Sequence, residues 1–201
     1  MSASAADIGI LGGSFNPPHI GHLIIASEAH HALGLECVIF VPAWSPPHKR
    51  IEDNVPAAVR LELTRLAVQD DPRFEVSDIE VRRRLRYTVD TVTALATEHS
   101  GRALWFIVGS DSLLALDTWR DPEGILARAR LAVAPRPGDA DADVDRAAAR
   151  WGGGVVTVLD SARVAISSTL VRERVRAGAP VRYLVPEAVG RVVAARGLYR
   201  G

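Results

Sequence analysis

Short apolar runs alternate with longer segments of helical period along this chain. Asp7–Leu11, Cys37–Val41, Ala103–Val108, Leu131–Ala134 and Val155–Leu159 are apolar with few interruptions. Such runs predict strands buried on both faces, as in a parallel sheet. Phe74–Val81 also reads as extended. Between the runs, Gly21–Leu33, Val55–Gln69, Val89–Thr97, the short Ser112–Leu116 and Glu123–Arg130 carry helical periodicity. Ser168–Ala177 and Pro186–Ala195 predict two C-terminal helices. Gly34 sits where a left-handed C-cap belongs. Pro42–Asn54 and the acidic, small-residue stretch Pro135–Asp145 read as loops. The alternation predicts an α/β fold, a doubly wound parallel sheet with helices on both faces. The pattern shows no internal repeat or linker, so residues 1–201 read as one domain, with the small, polar Met1–Ala6 frayed.

Open parallel sheets bind ligands beyond the carboxyl ends of their strands. The unusual residues of this chain fall at such places. After the first strand comes Gly12-Gly-Ser-Phe-Asn-Pro-Pro-His-Ile-Gly-His22. Gly12 and Gly13 permit a sharp turn and close approach of a ligand to the main chain. Pro17 and Pro18 stiffen the path into His19. His19 and His22 stand at the mouth of a helix, where free N–H groups and the dipole favour phosphate. The run is neither a Walker A loop nor a Gly-x-Gly-x-x-Gly fingerprint.

Other clusters follow later strands. Ser167, Ser168 and Thr169 open a helix that carries Arg172 one turn on. A capped helix start needs one hydroxyl; three with a guanidinium suit an anion. Gly109 and Asp111 follow the strand Ala103–Val108, where a nucleoside can approach and a carboxylate can accept from ribose hydroxyls. Trp119, beside Arg120, reads as an exposed ring able to stack on a flat heterocycle. Trp105 reads as core, and Thr88 as an N-cap. The loop Pro42-Ala-Trp-Ser-Pro-Pro-His-Lys49 would bring Trp44, His48 and Lys49 to the same edge and close over substrate. Arg82–Arg86, with four arginines, reads as a solvated edge.

Charge narrows the choice of partners. Lys and Arg number 24 and so do Asp and Glu, which points away from nucleic acid and membrane surfaces. A single cysteine, Cys37, lies in a strand and reads as a buried core thiol in a reducing compartment. No run spans a bilayer and no signal pattern opens the chain, so a cytoplasmic protein is expected. Arginine dominates the basic residues so far that Lys49 is the only lysine.

Together, Gly12–Leu23, Pro42–Lys49, Tyr87-Thr88-x-Asp90-Thr91, Phe106–Trp119, Ile166–Arg172 and the closing Ala195-Arg-Gly-Leu-Tyr resemble the bacterial nicotinate mononucleotide adenylyltransferases along nearly the whole chain. The resemblance implies a Rossmann-like fold of the nucleotidyltransferase type. It implies transfer of AMP from ATP to nicotinate mononucleotide in NAD biosynthesis, by direct in-line attack of the acceptor phosphate on the α-phosphorus. Deamido-NAD and pyrophosphate are the products. The same resemblance gives His19, His22, Lys49 and Arg172 to the phosphates. It gives Gly12, Gly13, Ser14, Phe15, Gly109, Asp111, Ser167, Ser168 and Thr169 to ATP. Asn16, Trp44, Thr88, Trp119 and Arg120 go to the acceptor, with Trp119 stacked on the pyridine and backbone amides near Trp119 and Arg120 receiving the carboxylate. Mg²⁺ arrives with ATP and no metal site is built by the chain. Monomer and homodimer both fit. The family usually has Asp where Asn16 stands and often Thr where Ser14 stands. Phosphopantetheine adenylyltransferases, the nearest alternative, usually have Thr at the place of His19.

Overall fold

The computed structural model describes residues 6–45 and 55–200. Its six strands are β1 (Ile8–Gly13), β2 (Cys37–Pro42), β3 (Phe74–Val76), β4 (Leu104–Gly109), β5 (Arg130–Ala134) and β6 (Val156–Val158). All pair in parallel, in the order β3-β2-β1-β4-β5-β6. This is the doubly wound order, in which the chain leaves β1 toward one side and later returns to the other. The carboxyl ends of β1 and β4 therefore diverge, and their loops frame a crevice.

The helices are α1 (Ile20–Leu33), α2 (Ala57–Val68), α3 (Ile79–Arg83), α4 (Thr88–Glu98), α5 (Ser110–Leu114), α6 (Pro122–Leu126), α7 (Asp141–Arg150), α8 (Ser168–Arg176) and α9 (Glu187–Ala195). The strands alternate between two cores. Ile8, Ile10, Ile39, Phe106, Val108 and Leu131 pack with Ile79, Val92, Leu95 and Ile125 on one face. Leu11, Val38, Phe40, Ile107 and Ala132 pack with Ala26 and Ala29 of α1 on the other. A third, smaller core joins Leu63 of α2 to Val171, Val189, Val193 and Tyr199, and so ties the C-terminal helices to the sheet layer. Trp105 is buried as expected, with its indole N–H donating to Asp7 at 2.9 Å. Cys37 is buried and its thiol is pushed up to about 11, chiefly by burial, which suits a core role.

Three sequence readings change. The Phe74–Val81 run is extended only to Val76; Ile79 then starts α3 and buries itself beneath α4. Pro135–Asp145 is not all loop, because α7 begins at Asp141. Its Asp141 and Asp143 favour a helix N-terminus, and Val144 is the one residue it buries fully. That sparse apolar stripe hid it among small polar residues. Glu123–Arg130 divides into α6 and the first residue of β5.

Arg60 is the most unexpected core residue. It projects from α2 with no exposed surface. Its guanidinium donates to Ser14 O at 2.6 Å, Ala43 O at 2.6 Å, Val55 O at 3.2 Å and Trp44 O at 3.3 Å. Burial holds its pKa below the usual arginine value. One cation thus pins the loop after β1 to the loop after β2. Replacing Arg60 by Met leaves those carbonyls dry and unpaired, and should lower stability by about 3 kcal/mol. Urea denaturation of the variant checks this; a loss below ~1 kcal/mol would mean that the loops hold each other without it.

Candidate active site

β1 ends at Gly13, and the loop that follows is tightly built. Phe15 has φ 46, in the left-handed region that a bulky residue rarely visits, and is fully buried. Its ring meets the edge of His22 at 4.9 Å and leans on Phe40 at 5.7 Å. The Asn16–Pro17 bond is cis. His19 then caps α1 from an extended backbone, and its N–H donates to Nδ1 of His22 at 3.1 Å. That bond puts the proton of neutral His22 on Nε2. The two rings stack at 3.6 Å between centroids. Gly21 makes room for the stack, because a Cβ there would stand 3.0 Å from Nδ1 of His19.

Both imidazoles are held in the neutral form. His19, 6% exposed, has its pKa lowered to about 4, first by burial and then by the charge of Arg136. His22 is lowered well below its ordinary value by burial, by His19 and by Arg136. Nδ1 of His19 is buried without a hydrogen-bond partner, as is Nε of Arg172. Unpaired buried groups in native proteins concentrate where a ligand or strain is accommodated.

The C-terminal helices close on this loop. Ser167 caps α8, accepting from the N–H of Leu170 at 3.1 Å. Ser168 donates to Pro17 O at 2.8 Å. Arg172 donates to Asn16 O at 2.9 Å and to the Thr169 hydroxyl at 3.3 Å. Tyr199 donates from its phenol to Oδ1 of the fully buried Asn16 at 2.9 Å. The N–H of Ile20 donates to Leu184 O at 2.9 Å. The histidine loop and the serine–arginine helix, far apart in sequence, thus share one wall.

On the other side of the crevice, β4 ends at Gly109. A Cβ there would collide with Asp111 Oδ1 at 2.5 Å and with the guanidinium of Arg136. Asp111 pairs with Nε of Arg136 at 2.9 Å. The backbone N–H of Arg136 donates to the Ser110 hydroxyl at 2.8 Å, which donates to Asp139 at 2.5 Å. Sequence reasoning missed Arg136. Its position after β5 obeys the carboxyl-edge rule that found the other residues, yet nothing in its immediate neighbours marks it.

Of the expected acceptor residues, Asn16 belongs to the wall just described, and Trp44, Thr88, Trp119 and Arg120 fall in a second group. Trp119 is half-buried rather than exposed, packed edge-on against Phe106 at 6.3 Å. Phe106 also lies beneath Gly12, where a Cβ would stand 3.2 Å from the ring. The N–H of Trp119 already donates to Leu116 O at 3.0 Å, so it is not a free amide for a carboxylate. Arg120 places its guanidinium 4.5 Å from the centre of Tyr87, which joins this segment to the start of α4. Thr88 is the first residue of α4, with Tyr87 as N-cap in its place. Trp44 has its N–H bonded to Glu80 and its carbonyl bonded to Arg60. The arginine cluster is exposed, as expected of a solvated edge; within it Arg82 and Arg83 pair with Glu98, and Arg84 lies over Trp44 at 5.7 Å. His48 and Lys49 lie outside the described residues, as does most of the loop expected to close over substrate.

Known proteins resemble this chain in family and in fold. The cytidylyltransferase-like family model matches residues 10–174, the span from β1 through α8. A protein of Symbiobacterium thermophilum described as a "probable nicotinate-nucleotide adenylyltransferase" is 42% identical over 198 residues, covering 96% of this chain and 95% of its own. One of the same description from Geobacter sulfurreducens is 41% identical over 209 residues, covering 95% and 97%. Among solved structures, the nicotinic acid mononucleotide adenylyltransferase of Plasmodium falciparum complexed with NaAD superposes with a TM-score of 0.80 at 14% identity. It covers 97% of this chain and 98% of that one. That likeness speaks for the fold, and the two bacterial relatives for the branch. With its paired histidines at the β1 switch point and its near-full-length kinship, the chain belongs to the cytidylyltransferase-like family, among the nicotinate-nucleotide adenylyltransferases.

Proposed function

We propose that this enzyme joins the AMP of ATP to the 5′-phosphate of nicotinate mononucleotide, by in-line attack of that phosphate on the α-phosphorus with departure of pyrophosphate. The observation that carries the reading is the stacked, neutral pair His19–His22 at the head of α1, with Arg136 beside it. The acceptor phosphate is an anion at neutral pH and needs no general base. The protein has to align two anions and stabilise charge as it builds on the α-phosphate.

Nε2–H of His22 is the donor for that charge, and the neighbouring ring of His19 keeps it aimed. Arg172, Ser168 and Thr169 line the start of α8, where β- and γ-phosphates and the leaving pyrophosphate would be met by hydroxyls and a guanidinium. Lys49 belongs to the same phosphate set by resemblance. Gly12, Gly13 and Ser14 with Gly109 and Asp111 hold the adenosine between the two diverging strands, and Phe15, fully buried, supports them from behind instead of touching it. Arg136 joins them. Trp44, Asn16, Thr88, Trp119 and Arg120 form the acceptor end. Asn16 contributes there by shaping the loop, because its side chain is committed to Tyr199.

Among the described residues no three His, Cys, Asp or Glu side chains converge as metal ligands. Mg²⁺ enters as part of the substrate MgATP, where phosphate oxygens and water supply its ligands.

Three outcomes test the reading. Full-length enzyme with MgATP should release pyrophosphate and form deamido-NAD with nicotinate mononucleotide, and turn over nicotinamide mononucleotide far more slowly; equal rates would remove the acid-selective acceptor site. His22→Ala should cut kcat about a hundredfold, the loss typical of one preorganised donor, while a change under ~threefold would take His22 out of the chemistry. The depressed imidazole of His19 also has a stability signature. Its folded pKa of about 4 lies below the ordinary 6.5, so the unfolded chain binds the proton first. Stability from His19 is complete above pH 6.5 and is lost as pH falls toward 4, by about 3 kcal/mol. Urea midpoints at pH 7 and pH 4 should fall less for His19→Asn than for the parent.

A further inference from the structure

Trp44 is held from three directions, and two of the groups come from one short helix. Oε2 of Glu80 accepts its N–H at 3.2 Å. The guanidinium of Arg60 reaches its carbonyl at 3.3 Å. The guanidinium of Arg84 covers its indole at 5.7 Å. Glu80 and Arg84 are one helical turn apart, in α3 and at its C-cap. Arg84 sits at φ 53, ψ 39, a left-handed conformation that glycine or asparagine adopts at less cost. That backbone bend turns its side chain back toward Trp44. Neither residue has a role in the phosphate chemistry.

Glu80 also reaches the other wall. Its Oε1 accepts from the Thr91 hydroxyl at 2.8 Å. Thr91 lies one turn beyond Thr88 on α4, the residue expected beside the nicotinate carboxylate. One carboxyl group thus spans the loop after β2 and the helix that carries the far side of the acceptor end.

We propose that α3 sets which acceptor this enzyme takes: Glu80 is a positioning residue that holds Trp44 against α4, and Arg84 is a specificity-determining residue whose charge favours a pyridine mononucleotide bearing a ring carboxylate over one bearing a carboxamide. The inference rests on the adenylyl-transfer reading above. Stacking alone does not separate the two rings, which have nearly the same shape. A cation over the indole does, because it attracts the anionic substituent and is indifferent to the neutral amide.

The environment of Glu80 supplies an independent handle. Burial pushes its pKa up to about 7, against the pull of its two hydrogen bonds and of Arg60. The groups facing it are Arg60 from α2, the Trp44 N–H from the loop after β2 and the Thr91 hydroxyl from α4. When Glu80 gains a proton it loses the negative charge that strengthens the bond it accepts from the Trp44 N–H, and the tie to Trp44 loosens.

The test uses the full-length enzyme at saturating MgATP, with KM and kcat measured for nicotinate and nicotinamide mononucleotides. Arg84→Gln should raise KM for the acid about fivefold, the effect of one exposed charge pair, and leave KM for the amide and both kcat values within ~twofold. Arg84→Lys keeps a cation over the ring and should keep the acid preference. Glu80→Gln should raise KM for both acceptors about tenfold with kcat little changed. It should also abolish the rise in acceptor KM that the parent shows as pH falls from 8 to 6. Equal effects of Arg84→Gln on acid and amide, or a Glu80→Gln enzyme with parental KM and pH profile, would overturn the proposal while leaving adenylyl transfer intact. A parent enzyme that forms a dinucleotide from neither acceptor would overturn both.

Discussion

The buried guanidinium of Arg60 is the constraint on which the site most depends. A parallel sheet delivers its loops to one edge, but it does not by itself hold them together. Here β1 and β2 end side by side, with Gly13 opposite Pro42, and then diverge into loops rich in proline. The carbonyls of those loops face inward, away from solvent. A single charged donor satisfies four of them at once and takes up no ligand-binding surface, because it approaches from α2 behind. An apolar residue of the same bulk would fill the space and leave the carbonyls dry, which is the costlier arrangement.

The C-terminal helices brace the same loop from the opposite side. Asn16 is the hinge of this contact: its carbonyl accepts from Arg172 and its side chain from Tyr199. The position is fully buried, and a neutral amide can accept the phenol there without an ionised group being taken out of water. This gives a physical reading of the departure from the Asp usual in the family. Three segments that meet only in the fold, residues 14–22, 167–172 and 184–199, become one wall through these bonds.

Electrostatics in the crevice follow from that packing. The histidines are stacked on each other and pressed against Phe15, and Arg136 lies near enough to oppose a proton on either. They therefore stand in the crevice as neutral, oriented imidazoles, and the positive charge beside them is that of the Arg136 guanidinium. Division of labour of this kind keeps the donor geometry fixed when pH varies, since arginine does not titrate in the accessible range.

Most of the fold was legible in the chain. Continuous apolar strands separated by helical periods specify a parallel α/β sheet, and the carboxyl-edge rule then brings Gly12–His22, Gly109–Asp111 and Ser167–Thr169 to one rim. Those residues announce themselves because their local order is unusual. α7 was missed because a helix that buries one valine leaves almost no apolar period. Arg60, Glu80 and Arg136 were missed for a different reason: each sits in an ordinary local sequence and acquires its role from partners distant along the chain, as does Tyr199, whose closing motif gave no hint of its bond to Asn16. Architecture, and the unusual run Gly12–His22 at the edge of the sheet, could be read from the amino-acid order, since both depend on local pattern and residue type. Which charges are buried, which protons are held and which groups brace Trp44 and Asn16 emerged from the folded chain. Burial and long-range hydrogen bonds are properties of juxtaposition, and no local pattern encodes them.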